Sequence, residues 1–442
     1  MRSAEPVSLN AAKYIEALQS VDPVRINGKV TQIIGLIVES EGPDAKIGDV
    51  CFIYSRKKAN PVRAEVVGFR NNKVILMPLG DLDAVGPGCD VVGTGKALTV
   101  KVGHELLGKV LDGLGNPLDG SPFPLRLQEV PVNNTPVSPL KRPRVLEPIS
   151  VGIRSIDSLL TIGKGQRVGI FAGSGVGKST LLGMIARNTS ADVNVIGLIG
   201  ERGREVLDFI ERDLGPVGLA RSVVVVATSD QPALVRMKGA LITTAIAEYF
   251  RDRGLNVMMM MDSVTRYAMA LREVGLAIGE PPATRGYTPS VFASLPKLLE
   301  RAGTAPKGSI TAFYTVLVDG DDMNEPIADA VRGILDGHIV LDRRLAHRGH
   351  FPAIDVLSSV SRVMNEIVSK ERLQAANRMK QLLSVYQDAE DLINIGAYKP
   401  GSNPEIDAAI RVIQDIWSFT KQDIDEKSTL DEAQARLSQF GG

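Results

Sequence analysis

The chain has almost no cysteine: Cys51 and Cys89 are the only two in 442 residues, and they form no CxxC pair. A disulfide framework and a cysteine-built zinc site are thereby excluded, and a reducing cytoplasm is the expected compartment. Charge of one sign is also lacking, because 51 Lys plus Arg face 51 Asp plus Glu. No global basic field exists to hold nucleic acid, so no specific nucleic-acid partner is expected. No apolar run approaches the roughly 20 residues that span a bilayer, and residues 1–23 lack the apolar stretch of a signal peptide. Membrane contact is therefore expected to be peripheral. Repeats of solenoid length and low-complexity tracts are missing as well. What is present is 44% hydrophobic and 23% charged residues, the balance of a folded soluble protein with about two to four compact units.

Along the chain the pattern changes several times. Residues 1–24 are read as a helical segment with Ala12, Ile15 and Leu18 along one side, suited to packing on its own domain or to binding a regulator. Residues 25–102 hold short β-rich runs, RINGKVTQIIGLIVES, DVCFIY, VRAEVVGF and KVILMPL, separated by turn clusters, which predicts a small β-barrel. Residues 103–148 are rich in Pro and Gly, which discourages regular elements and marks a linker. Residues 149–354 alternate apolar β-like runs with helical segments, the pattern of crossover units building a mostly parallel α/β sheet. The expected strands are RVGIFA, VNVIGLIG, SVVVVAT, NVMMMMD, SITAFYTVLV and HIVLD. Strand signals vanish after residue 355, and apolar spacings of three and four predict a helical domain over 355–442.

The strongest local signal is the run AGSGVGKST between RVGIFA and a helical stretch, the strand, loop and helix order that a P-loop requires. Gly173, Ser174, Gly175, Val176 and Gly177 form the loop. Its glycines let successive backbone N–H groups face one phosphate chain, and the helix that follows adds its positive dipole end. Lys178 is placed to meet the terminal phosphates of ATP or ADP, the Ser179 hydroxyl to ligate Mg²⁺, and Thr180 to continue the cradle. The usual first glycine is Ala172 here, which costs little if that residue ends the strand with negative φ.

A P-loop by itself says only that a nucleoside phosphate binds. Asp262 ends NVMMMMD, so a buried strand delivers its carboxylate to the C-terminal sheet edge, where ligands sit in open α/β sheets. It suits either the Mg²⁺ position or an N-cap for the helix that follows. Glu201 ends VNVIGLIG at the same edge, as a water-polarising base or a first-turn helix residue. Arg202 beside it can balance γ-phosphate charge.

Longer motifs add a family. LLGKVLDGLGNPLDG, FAGSGVGKST, GLIGERGREV, MDSVTRYAMA, LAIGEPPATRGYTPSVFASLPKLLERAG, GSITAFYTVLVDGDDMNEPIAD, ILDGHIVLDRRLA and GHFPAIDVL together resemble the ATPases of type III protein export, relatives of the rotary ATP synthase catalytic subunit. The resemblance covers essentially the whole chain and implies a RecA-like core between a β-barrel and a helical domain. It keeps Lys178, Glu201, Arg202 and Asp262 in the roles above. It adds Arg266 facing the phosphates, Phe351 stacking on adenine, and Arg362 as an arginine finger reaching the next subunit's site. Tyr398 is left without a firm place.

The resemblance also implies a homohexameric ring, a stator-like negative regulator at the N-terminal region, a coiled-coil central stalk protein, an export gate and chaperone-cargo complexes. It places the chain at the cytoplasmic face of the inner membrane. DLGPVGLARSVVVVATSDQPALVRMKGA and EDLINIGAYKPGSNPEID favour the flagellar branch over virulence secretion. A rotary synthase subunit is a further alternative. So is a hexameric RNA or DNA translocase, disfavoured because residues 25–102 hold only Phe52, Tyr54 and Phe69 as aromatics.

Overall fold

The computed structural model describes residues 27–55, 60–318, 320 and 322–440. The helix expected within residues 1–24 lies outside them. The chain separates into two units, residues 1–97 and 98–442.

In the first unit six strands, Gly28–Ile34, Ile37–Glu41, Asp49–Tyr54, Val62–Arg70, Lys73–Pro78 and Asp90–Ala97, close into a barrel. Around it they run in the order first, second, fifth, fourth, third, sixth. The single run RINGKVTQIIGLIVES is two antiparallel strands, because Gly35 takes φ +57 and turns the chain between Ile34 and Ile37. The sixth strand was not anticipated. Five of the eight residues in its sequence DVVGTGKA are glycine or polar, and its partners on either side supply the pairing that its propensity does not. Inward residues such as Val38, Ile53, Val66 and Leu76 fill the interior. Both cysteines are free and buried there, and burial pushes the Cys51 thiol up to about 11.

The second unit is built on one sheet. Across it lie Ile354–Ser361, Gly337–Leu341, Arg167–Ala172, Ser309–Leu317, Asn256–Asp262, Val193–Ile199, Ser222–Ala227 and Val110–Asp112. Every neighbouring pair except the first is parallel. All six expected strands are present. Val193–Ile199 and Ser222–Ala227 are buried at every position, which is why they read as unbroken apolar runs: helices cover both faces of a parallel sheet.

Strands also stand where the sequence reading has none. Gln128–Pro131, in the expected linker, pairs antiparallel with Thr99–Val102. Val110–Asp112 lies in the Pro/Gly-rich stretch yet pairs with Val224–Val226 at the sheet edge. The turn that follows is held by Asp112, whose carboxylate accepts from the N–H groups of Leu114 and Asn116 at 2.8 Å each. Ile354–Ser361 continues past residue 355 as an antiparallel edge strand. Its inner residues Ile354 and Val356 are buried while others face outward, the alternation of a strand covered on one side.

After Ser361 the regular elements are all helices among the described residues. Lys370–Asn394 and Pro404–Thr420 pack as a hairpin, with Tyr386 edge-on to Trp417 at 5.5 Å between ring centres. Asn403 caps the second helix by accepting from the N–H of Glu405, and Pro404 occupies its first turn. Thr429 and Glu432 form a capping box on Leu430–Leu437. Among the described residues no helix is long and apolar enough to cross a membrane.

Candidate active site

The strand Arg167–Ala172 ends at Ala172, which pairs with Leu317 as extended backbone, so alanine is tolerated at this first loop position. The loop then curls through Gly175 at φ +78 and Gly177 at φ +88, values that only glycine adopts without cost. The helix Lys178–Asn188 starts at once, with Gly177 at its N-cap and no side-chain cap among the described residues. Its first N–H groups are thus left for an anion.

Parallel register brings the rest together. Ile170 stands beside Thr315, Tyr314 beside Met261, and Leu198 beside Asp262. Three strands therefore deliver the P-loop, Asp262 and Glu201 to one edge. Lys178 Nζ reaches Asp262 Oδ1 and lies 3.6 Å from Glu201 Oε1. Burial opposes the lysine's charge, but the two carboxylates outweigh it and hold its pKa above the ordinary value. Burial, followed by the negative charge of Asp262, raises Glu201 well above the usual carboxylate range. Glu201 Oε1 and Arg266 Nε are both buried without a hydrogen bond among the described residues. Polar atoms left so are costly unless something else meets them.

Asp262 is not the helix cap. That place is taken by Ser263, whose hydroxyl accepts from Arg266 N–H at 3.2 Å, leaving the Asp262 carboxylate for Lys178 and Thr315. Thr315 Oγ donates to Asp262 Oδ1 at 2.7 Å and was missed in the sequence. The signal available was a hydroxyl inside the apolar run FYTVLV. Arg266 backs Gly200, where an added side-chain carbon would stand 2.7 Å from Arg266 Cβ. Arg187, on the P-loop helix, donates to the carbonyl of Asp213, which ties that helix to the π-helical turn Phe209–Leu214.

The other named residues stand apart from this cluster. Arg202 is exposed and pairs with Glu205 at 3.4 Å. Arg362 follows the edge strand, exposed, with its N–H on Asp336 O and Nη2 on Arg332 O at 3.3 Å. Tyr398 braces the helical hairpin through Asn403 O at 3.0 Å and Asp407 at 2.9 Å. Phe351, 45% exposed, lines a cavity of about 580 Å³ that opens beside Gly177 and Thr180. A carbon added at Gly177 would touch its ring at 3.5 Å. Residues 421–424 line the same cavity.

Known proteins share the sequence and the fold. Residues 152–361 match the nucleotide-binding domain of the ATP synthase alpha/beta family and residues 30–95 its beta-barrel domain, while residues 368–439 match the T3SS EscN ATPase C-terminal domain. The chain is 60% identical over 435 residues to the flagellum-specific ATP synthase of Bacillus subtilis strain 168, covering 98% of this chain and 99% of that one. It belongs to the type III secretion ATPase family. Among solved structures this ATPase is similar to the assembled EscN of enteropathogenic E. coli, at TM-score 0.87 and 47% identity over 94% of this chain and all of that one. The complex of EscN with its central stalk EscO matches equally well, at 0.87 and 48% with the same coverage.

Proposed function

We propose that this ATPase hydrolyses ATP to ADP and phosphate to energise protein export by the flagellar type III apparatus, unloading chaperone-cargo complexes. The observation that carries the reading is the Lys178, Asp262 and Glu201 cluster at a P-loop whose helix borders a cavity roomy enough for a nucleobase. Loop amides of residues 173–177, with Lys178 and Thr180, bind the phosphates. Glu201 takes a proton from water as the water oxygen bonds to the γ-phosphorus and the bond to the β-phosphate oxygen breaks. Arg266 and Arg202 balance the γ-phosphate charge, Arg202 by leaving Glu205. Phe351 stacks on adenine, and Arg362 serves the neighbouring subunit's site.

Mg²⁺ fits the donor set. Ser179 and Asp262 offer oxygen ligands only, and no group of three His, Cys, Asp or Glu side chains able to hold a metal occurs among the described residues. A hard cation held by one or two protein oxygens and completed by phosphates matches that count. When bound, it would neutralise phosphate charge. Thr315→Val keeps the shape and removes the donor to Asp262. Losing such a support costs roughly 10-fold to 100-fold in metal affinity or activity, so the Mg²⁺ concentration for half-maximal turnover should rise by about ten-fold. An unchanged Mg²⁺ titration would refute the role.

The assembly proposed is a homohexameric ring on a coiled-coil central stalk, by likeness to the assembled EscN and to its complex with the central stalk EscO. Residues 1–24 contact a stator-like negative regulator; the barrel domain expected over 25–102 ends with its last strand at Ala97, and the ATPase domain expected over 149–354 takes in Val110–Asp112 from the expected linker and Ile354–Ser361 from the expected helical domain. The ring sits in the cytoplasm, peripheral to the inner membrane at the export gate. The flagellar branch is favoured over virulence secretion because identity reaches 60% with a flagellar relative and no more than 53% with the type III secretion ATPases compared. The test is genetic. Loss of the chain should abolish filament assembly and swimming, and the wild-type gene should restore both. A Lys178→Ala gene, lacking the ammonium near the phosphates, should not. Normal filaments without the chain would sink the export role.

A further inference from the structure

The cavity beside Gly177 and Thr180 is lined from two distant parts of the chain, Phe351 and residues 421–424. Residues 421–424 follow the helix Pro404–Thr420 with no regular structure, and of the helix only the Trp417 carbonyl, which accepts from Lys421 N–H at 2.9 Å, reaches into them. Contacts from remote parts of the chain do the rest. Arg154, 4% exposed, sends its guanidinium to Phe419 O at 2.7 Å, to Lys421 O and to the Glu426 carboxylate. Its N–H donates to Gln422 Oε1 at 2.8 Å. Arg187, on the P-loop helix, donates to Ile424 O at 2.8 Å.

Gln422 is the knot in this net. It is 5% exposed, and its Nε2 donates to Gly152 O at 2.8 Å and to Glu426 O at 3.0 Å. Its backbone N–H donates to Phe351 O at 3.0 Å. A buried primary amide is costly unless its donors and acceptor are met, and here both Nε2 donors and Oε1 are used. The consequence is geometric. The backbone of Gln422 is bonded to the carbonyl of the ring-bearing Phe351, and its side chain anchors that backbone to Gly152, Arg154 and Glu426, so the side chain fixes where residues 421–424 stand relative to the ring. Among the described residues no hydrogen bond or ion pair joins it to Lys178, Glu201 or Asp262.

We infer that Gln422 is the positioning residue for the base half of the site, holding a slot of fixed width for a planar nucleobase and leaving phosphate binding untouched. A fixed slot favours a bicyclic base, which reaches both linings, over a single ring. The inference rests on the nucleotide reading proposed above.

The test uses the full-length protein and Gln422→Met, which keeps the length and removes the three side-chain hydrogen bonds. The KM for MgATP should rise about ten-fold, as for a lost buried hydrogen-bond set. Turnover should stay within about two-fold, and the preference for ATP over CTP should shrink. Inhibition by magnesium tripolyphosphate, which has no base, should match wild type. In a Phe351→Ala background the same change should add less than about two-fold, because the ring it positions is gone. Should Gln422→Met not fold, hydrogen exchange on wild type decides: residues 421–424 should slow with ATP and not with tripolyphosphate. An unchanged KM, equal weakening of ATP and tripolyphosphate, full additivity with Phe351→Ala, or equal or absent slowing with both ligands overturns the assignment. Tripolyphosphate failing to compete with ATP on wild type overturns the nucleotide reading itself, and this inference with it.

Discussion

Glu201→Gln should bind MgATP with near-normal affinity and hydrolyse it about 10² to 10⁴-fold more slowly, the range for losing a general base. The amide keeps the shape of the side chain and cannot take a proton from water. The fold should tolerate the change. Glu201 lies 3.6 Å from Lys178 through Oε1, and that oxygen has no hydrogen bond among the described residues, so replacing it breaks little that supports the structure. Phosphate binding should not suffer either. Lys178 retains Asp262, with Thr315 behind it, and removing a negative charge near a polyphosphate opposes binding in no way. The measurement is single-turnover hydrolysis alongside equilibrium nucleotide binding. If affinity falls while the single-turnover rate holds, Glu201 is a binding residue and the hydrolytic assignment is lost.

The parts of this site that could be read in the sequence are those fixed by local chemistry. Gly175 and Gly177 need positive φ, and a glycine-rich loop between an apolar strand and a helix announces that need. Asp262 and Glu201 stood out because each ends an unbroken apolar run, and burial on both faces makes such runs legible. What was hidden depends on which strands become neighbours. Thr315 matters only because its strand lies between those of Ala172 and Asp262, and no periodicity reports sheet order. Val110–Asp112 is three residues long among glycines and prolines, too short for any pattern. Ile354–Ser361 is a half-covered edge strand whose alternation is blurred by three serines. The wall at residues 421–424 has no secondary structure, and contacts with Gly152, Arg154 and Phe351, all remote in sequence, hold it.

The remaining large effect concerns Arg362. Its backbone is well fixed, with N–H on Asp336 O, and Asp336 in turn holds Arg167 through Nε at 2.9 Å and Nη2 at 3.0 Å. Its guanidinium has only the Arg332 carbonyl at 3.3 Å among the described residues. A charged fork with one weak partner, exposed and outside the Lys178 cluster, is suited to a phosphate presented by another subunit. An arginine finger contributes on the order of 10³ to 10⁵ in rate, so Arg362→Ala should be nearly inactive while nucleotide affinity stays normal. Activity of the native protein should also rise with concentration as the ring assembles. Mixing tests whether the residue works in trans. Arg362→Ala keeps the P-loop lysine, and Lys178→Ala keeps the finger. In mixed rings, an interface that joins the intact P-loop of the first to the intact finger of the second is complete. The mixture should therefore hydrolyse ATP faster than the sum of the separate variants, with the gain greatest near equal proportions. Mixed rings verified by mass that show no gain at any ratio would remove Arg362 from the site, because a residue acting only within its own subunit cannot be complemented by its neighbour.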